Sequence, residues 1–148
     1  ELSQVEWLLE KQAKKHQPTY YHLLKTIPSV GRILALTILY KVGDIRRFES
    51  VQKLVSYSRL IKCKAESAGK TYGTQGNKIG NTHLKWAFSE AAVLYLRGNP
   101  GTQKLLQRLQ KRMGKAKALS ALAHKLGCAV YFMLKNEKVF DEQRFLTS

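Results

Sequence analysis

Ser67 stands in the run KCKAESAGKTYGTQGNKIGN (62–81), among Lys62, Lys64, Lys70 and Lys78 and four glycines. A hydroxyl is a weak nucleophile at neutral pH and needs a base or a metal to activate it. Attack on a phosphodiester also needs cations where charge builds up in the transition state. The lysines can supply that charge, so the pattern points to a serine presented to a nucleic-acid phosphate. Serine in a glycine-rich polar stretch is more often a plain turn residue. Ser56, Tyr57, Ser58 and Tyr72 are rival hydroxyls in the same region.

Other chemistries find little support. Away from the termini, no two Asp or Glu are close neighbours at helical spacing, which argues against a self-contained two-metal nuclease. His16, His22, His83 and His124 lack metal-ligand spacing, so no metal site is expected within the chain. Of these, His83 is near enough to the glycine stretch to touch a phosphate. Cys63 and Cys128 are too far apart for a metal knuckle or a redox pair, and two free thiols suit a reducing cytoplasm. Neither GxxxxGK[ST] nor GxSxG occurs, which removes support for an NTPase or an ordinary hydrolase.

Charge singles out the partner. Twenty-six Lys and Arg against ten Asp and Glu give a net charge of +16 and a pI near 10. Such an excess repels itself unless a polyanion offsets it. Nucleic acid is the first candidate and an anionic membrane surface the second. The longest apolar run, Ile33 to Tyr40, is far below the ~20 residues of a bilayer span. The amino end alternates charged and apolar residues, unlike a signal peptide. Between Asp44 and Glu90, Arg46, Arg47, Lys53, Arg59, Lys62, Lys64, Lys70, Lys78 and Lys85 face only Glu49 and Glu66. That imbalance predicts phosphate contact that weakens steeply with salt.

The elements that must position these groups read as helices. Residues 1–18 predict the end of a helical arm, with Leu2, Val5 and Leu9 on one face, widened by Trp7 and Leu8. The abrupt start, without Met, reads as a piece of a longer chain. A short helix from Tyr20 leads into TIPSVG, and RILALTILYKV is apolar nearly all round and should lie in the core. Val51, Leu54 and Val55 face inward on the next short helix. Residues 61–80 break the helical period and predict an irregular loop or short hairpin. Asn81 caps a helix carrying Leu84, Ala87, Phe88, Ala91 and Leu94 on one face. A turn is expected at 98–101. Beyond it follow a helix whose outer face carries Lys104, Arg108, Lys111 and Arg112, a long helix with Leu119, Leu122, Ala123, Leu126, Val130 and Met133 inward, and a peripheral tail at 141–148. The fold class is mainly α: a compact helical domain over 19–140 with one irregular Gly/Lys-rich insertion.

LLKTIPSVGRILALTIL resembles a helix-hairpin-helix, in which free N–H groups at the second helix's start point at a phosphate. Ser29, Val30 and Gly31, with Arg32, Arg46 and Arg47, would then grip a backbone. An ordinary helix–helix turn fits the same pattern equally well.

The ordered series TIPSVGRILALTILYKVGDIRRFESVQKLVSYSRL, ESAGKTYGTQGNKIGNTHLKWAFSEAA and KALSALAHKLGCAVYFMLKN resembles one family. It is similar to the carboxy-terminal domain of the insertion-sequence transposases called the IS one-ten family, also known as DEDD transposases or bridge-RNA-guided recombinases. The resemblance implies a catalytic serine that attacks DNA and forms a covalent phosphoserine, and by position that serine is Ser67. Gly80-Asn81 and Leu84-Lys85 match the family's Gly-Asn and Leu-Arg pairs. Ser29, Arg59, Lys62 and Ala68 depart from its pattern, Arg59 and Ala68 standing where it has glycine. The resemblance also implies a divalent metal (Mg) held by acids on an amino-terminal domain, DNA as partner, a guide RNA, and a homo-oligomer in the full-length protein. The alternative is a non-catalytic helix-hairpin-helix nucleic-acid-binding module, and a third class is a basic protein that binds structured RNA.

Overall fold

Pro18 splits the amino-terminal helical pattern, since a proline suits the first position of a helix and not its interior. The computed structural model describes residues 2–16, 18–61, 66–67, 70–71 and 80–147. In it, α1 (Leu2–His16) is followed by α2 (Pro18–Lys25). α3 (Arg32–Val42) opens at Gly31 and closes at Gly43, whose N–H reaches the Leu39 carbonyl. A 3-10 turn (Ile45–Arg47) and α4 (Val51–Tyr57) come next. Two-residue strands β1 (Glu66–Ser67) and β2 (Lys70–Thr71) pair antiparallel, with Ser67 opposite Lys70 and Glu66 opposite Thr71. The remaining elements are α5 (Thr82–Leu96), α6 (Pro100–Met113), α7 (Lys115–Asn136) and α8 (Glu142–Thr147). The fold is a mainly α-helical compact domain.

α7 is the spine. Ala118, Leu122, Leu126 and Val130 recur every four residues and are buried against α4, α5 and α6. Truncating such a leucine to Ala costs about 3 kcal/mol in a packed core. Gly127 is a required close approach: a Cβ there would sit 2.5 Å from Leu60 Cδ1. α3 buries Leu34, Ala35, Leu36, Ile38, Leu39 and Val42, as its apolar character predicts.

Three details differ from the sequence expectations. Leu119 is exposed, because the buried row of α7 starts one residue earlier, at Ala118. The expected turn at 98–101 is partly helix: the Asn99 side chain accepts from Thr102 N at 3.1 Å and Pro100 pre-sets the first helical φ. The tail is not peripheral, since Phe145 is buried and stacks with Tyr95, and Phe140 meets the same ring edge-on. The arm, for which the sequence set no docking face, packs with its polar side inward. α1 turns Glu6 and Glu10 toward the body and leaves Leu2, Val5, Trp7, Leu8 and Leu9 exposed.

Candidate nucleic-acid interface

The segment bearing Ser67 leaves and rejoins the body at one place. Asn81 N donates to the Tyr57 carbonyl at 2.7 Å, and the Asn81 side chain caps α5 by accepting from Leu84 N at 3.0 Å. Gly80 makes that closure possible. Its φ is +123°, and a Cβ on it would lie 2.6 Å from the Tyr57 carbonyl oxygen. Arg59 also adopts a left-handed φ, +57°, which favours glycine, the residue that the resembling family has there.

Cations and rings gather at this closure. The Arg47 guanidinium lies over Phe48 and Tyr57, 4.7 and 5.0 Å from their centres. Hydrogen bonds from Asn81 and then Arg47 hold the Tyr57 hydroxyl below its ordinary pKa. His83, Lys85 and Trp86 are exposed on the first turns of α5. Of the expected site residues, the β-pair brings Ser67 and Lys70 opposite each other in register, Arg47 lies over Tyr57 at the loop base, and Lys85 is exposed on the first turn of α5 that follows it. Lys62, Lys64 and Lys78 lie outside the described residues, as does most of the expected irregular loop. Sequence reasoning missed Trp86, 49% exposed. A signal existed: Trp86 is out of phase with the buried row Leu84, Ala87, Phe88 and Ala91.

The hairpin forms a separate edge. Val30 is buried and its N–H donates to the Ile27 carbonyl at 3.0 Å, so neither its side chain nor its amide faces a ligand. Ser29 Oγ is buried without a hydrogen-bond partner. Gly31 is exposed, with open space where a Cβ would stand. Arg32 is held by the arm: its Nη2 meets Glu6 Oε2 at 3.1 Å and its Nε meets Glu10 Oε2 at 3.6 Å. Tyr40 OH adds a bond to the Leu9 carbonyl. Arg46 is engaged with Asp44 at 2.7 Å, and that contact holds the Asp44 carboxyl at a pKa of about 2.

Metal donors are sparse. Among the described residues no three of His, Cys, Asp and Glu stand close enough to hold an ion, so these residues do not fit the divalent metal that the resemblance implies. Cys128 Sγ lies 3.9 Å from His124 Nε2 on α7. Burial lowers the imidazole's pKa and raises the thiol's, which leaves both neutral and the thiol unreactive. Among the described residues no helix is long and apolar enough to cross a membrane.

Comparison with known proteins places this arrangement. The chain is 28% identical over 121 residues to the transposase for insertion sequence element IS1111A of Coxiella burnetii (strain RSA 493 / Nine Mile phase I). That match covers 79% of this chain and 33% of the relative, so the chain spans about a third of the curated relative it matches. No solved structure matches. Residues 21–107, more than half of the chain and running from within α2 through the loop base and α5 into α6, match the family model described as transposase IS116/IS110/IS902 family, and the chain therefore belongs to that transposase family.

Proposed function

We propose that this chain is the carboxy-terminal DNA-binding and strand-transfer domain of its transposase, with Ser67 as the nucleophile. The observation that carries the reading is the loop base. The Asn81–Tyr57 closure ties together the two ends of the chain flanking the Ser67-bearing segment, and Arg47 lies over the Tyr57 ring there. The β-pair has Ser67 opposite Lys70 in register, and all of these support this reading. Ser67 Oγ attacks a DNA phosphorus, giving up its proton to a base. The phosphodiester's P–O bond breaks, and one DNA end leaves while the other remains as a phosphoserine ester. Lys64, Lys70 and Lys78 stabilise the phosphate's negative charge during that exchange. The exposed Gly31 backbone, with Arg47 and Lys62, would hold the neighbouring strand, with Arg46 joining only by exchanging Asp44 for a phosphate, and Lys85 would meet the same strand.

The base and the divalent metal belong, in this reading, to another part of the full-length protein, assembled as a homo-oligomer in the cytoplasm. A guide RNA would select the target. This domain by itself would bind DNA and cut poorly.

Ser67→Ala in the full-length protein tests the nucleophile. Recombination should fall by about a thousandfold or more, with duplex affinity within about twofold of the parent. A trapped covalent protein–DNA adduct should vanish with it. Unimpaired recombination in that variant would remove Ser67 from the chemistry, and salt-sensitive binding without any adduct in the parent would favour a non-catalytic binding module.

A further inference from the structure

No Asp or Glu occurs between Glu90 and Glu137, and this stretch builds all of α6 and α7. α6 buries Thr102 and Leu105 against its neighbours, with α7 the main one. Its opposite face carries Lys104, Arg108 and Lys111 at i, i+4 and i+7, a stripe about 10 Å long. Arg112 flanks the stripe, and Lys115 and Lys117 continue it after the turn at Gly114. All six are exposed.

Ordinary explanations account for only part of this. Lys111 and Arg112 sit in the last turn of α6, where a cation complements the helix dipole. Lys115 and Lys117 sit in the first turn of α7, where the dipole repels them. Like charges at i, i+4 on one face cost a few tenths of a kcal/mol per pair. Among the described residues none of Lys104, Lys111, Arg112, Lys115 and Lys117 is ion-paired, so the chain does not offset that repulsion internally. Arg108 does hold an internal bond, to the Leu146 carbonyl.

We propose that the α6 stripe and the first turn of α7 form a second docking surface, for the phosphate backbone of duplex DNA. No aromatic residue occurs between Tyr95 and Tyr131, and both of those are buried. The face therefore has no ring on which an unpaired base could stack, and it offers backbone contact alone. It is distinct from the loop base, which is built on α4 and the first turns of α5, whereas α6 packs on α5, α7 and α8. The proposal rests on the reading that this domain works on DNA, and it is independent of the role of Ser67.

The test measures duplex affinity against salt for the full-length protein. Three proteins are compared: the parent, Lys104→Gln/Lys111→Gln/Lys115→Gln, and a charge-matched control, Lys11→Gln/Lys135→Gln/Lys138→Gln. The stripe variant should lower the magnitude of the log–log salt slope by about 2 to 3 and weaken binding about tenfold or more near 0.1 M salt. The control should change the slope by less than about 1. A Lys→Arg triple at the stripe positions should bind like the parent, which separates charge from folding. Equal slopes for stripe variant and control overturn the proposal, as does a loss confined to structured RNA. A parent with no duplex affinity overturns both this surface and the DNA reading, whereas equal slopes with intact recombination overturn this surface alone.

Discussion

The hairpin edge and the α6 face carry the same kind of charge in opposite circumstances. At the hairpin edge each arginine has a carboxylate partner inside the chain, Arg32 with Glu6 and Glu10 and Arg46 with Asp44, and at the loop base Arg47 has the rings of Phe48 and Tyr57. On α6 and the start of α7 the lysines have no ion-pair partner among the described residues. A count of basic residues treats the two regions alike. The difference is availability: a phosphate must displace a carboxylate at Arg32 and displaces only water and counterions at Lys104. The arm adds to the contrast. It is fastened to the body through two glutamates while its apolar residues stay outside, so its hold is electrostatic and screened by salt.

Breaking the loop base should give the largest effect. Gly80→Ala forces a side chain into a positive φ and against the Tyr57 carbonyl, and should cost about 2 to 3 kcal/mol in urea unfolding. If α6 is a separate surface, the protein that remains folded should still bind duplex DNA with the share of the salt slope that the α6 lysines carry, about 2 to 3. A lost slope would show that the two regions are one surface.

Releasing the hairpin edge comes next. Glu6→Gln/Glu10→Gln should cost less than about 1 kcal/mol of stability, because Arg32 is partly exposed. It should raise duplex affinity about threefold over Glu137→Gln/Asp141→Asn, which removes the same charge elsewhere. Equal affinity in the two variants would mean that Arg32 does not meet DNA even when released.

Asp44 gives the smallest effect and the most local one. Its hydrogen bonds to Arg46 hold its pKa at about 2, below the ordinary 3.8. A depressed carboxylate contributes its stability above the unfolded value and loses it as pH falls through about 2. An NMR titration of the Asp44 carboxyl should therefore have its midpoint near 2. Arg46→Gln should return it toward 3.8 while leaving binding through α6 unchanged. A midpoint already at the ordinary value in the parent would mean that Arg46 is available to phosphate after all.

Helix positions were largely legible because local chemistry sets them. Asn81 caps α5, and Gly43 and Gly114 stand at helix ends, whereas the helix starts at Pro18 and Pro100 were read as a helix end and a turn. The family was legible in the ordered series of motifs. The orientation of the arm was not, because its apolar spacing says which residues share a face and nothing about which face docks. Trp86 was overlooked although its phase set it off the buried row of α5, because attention to the charged residues passed over an exposed aromatic.

Composition and spacing were enough to establish a positively charged, helical chain, since charge and periodicity are properties of the chain itself. Which cations are engaged depends on contacts between residues far apart in sequence, as Glu6 and Glu10 are from Arg32. Tertiary packing alone decides that, because an ion pair requires its partners within a few ångströms, and one dimension of sequence carries no such distance.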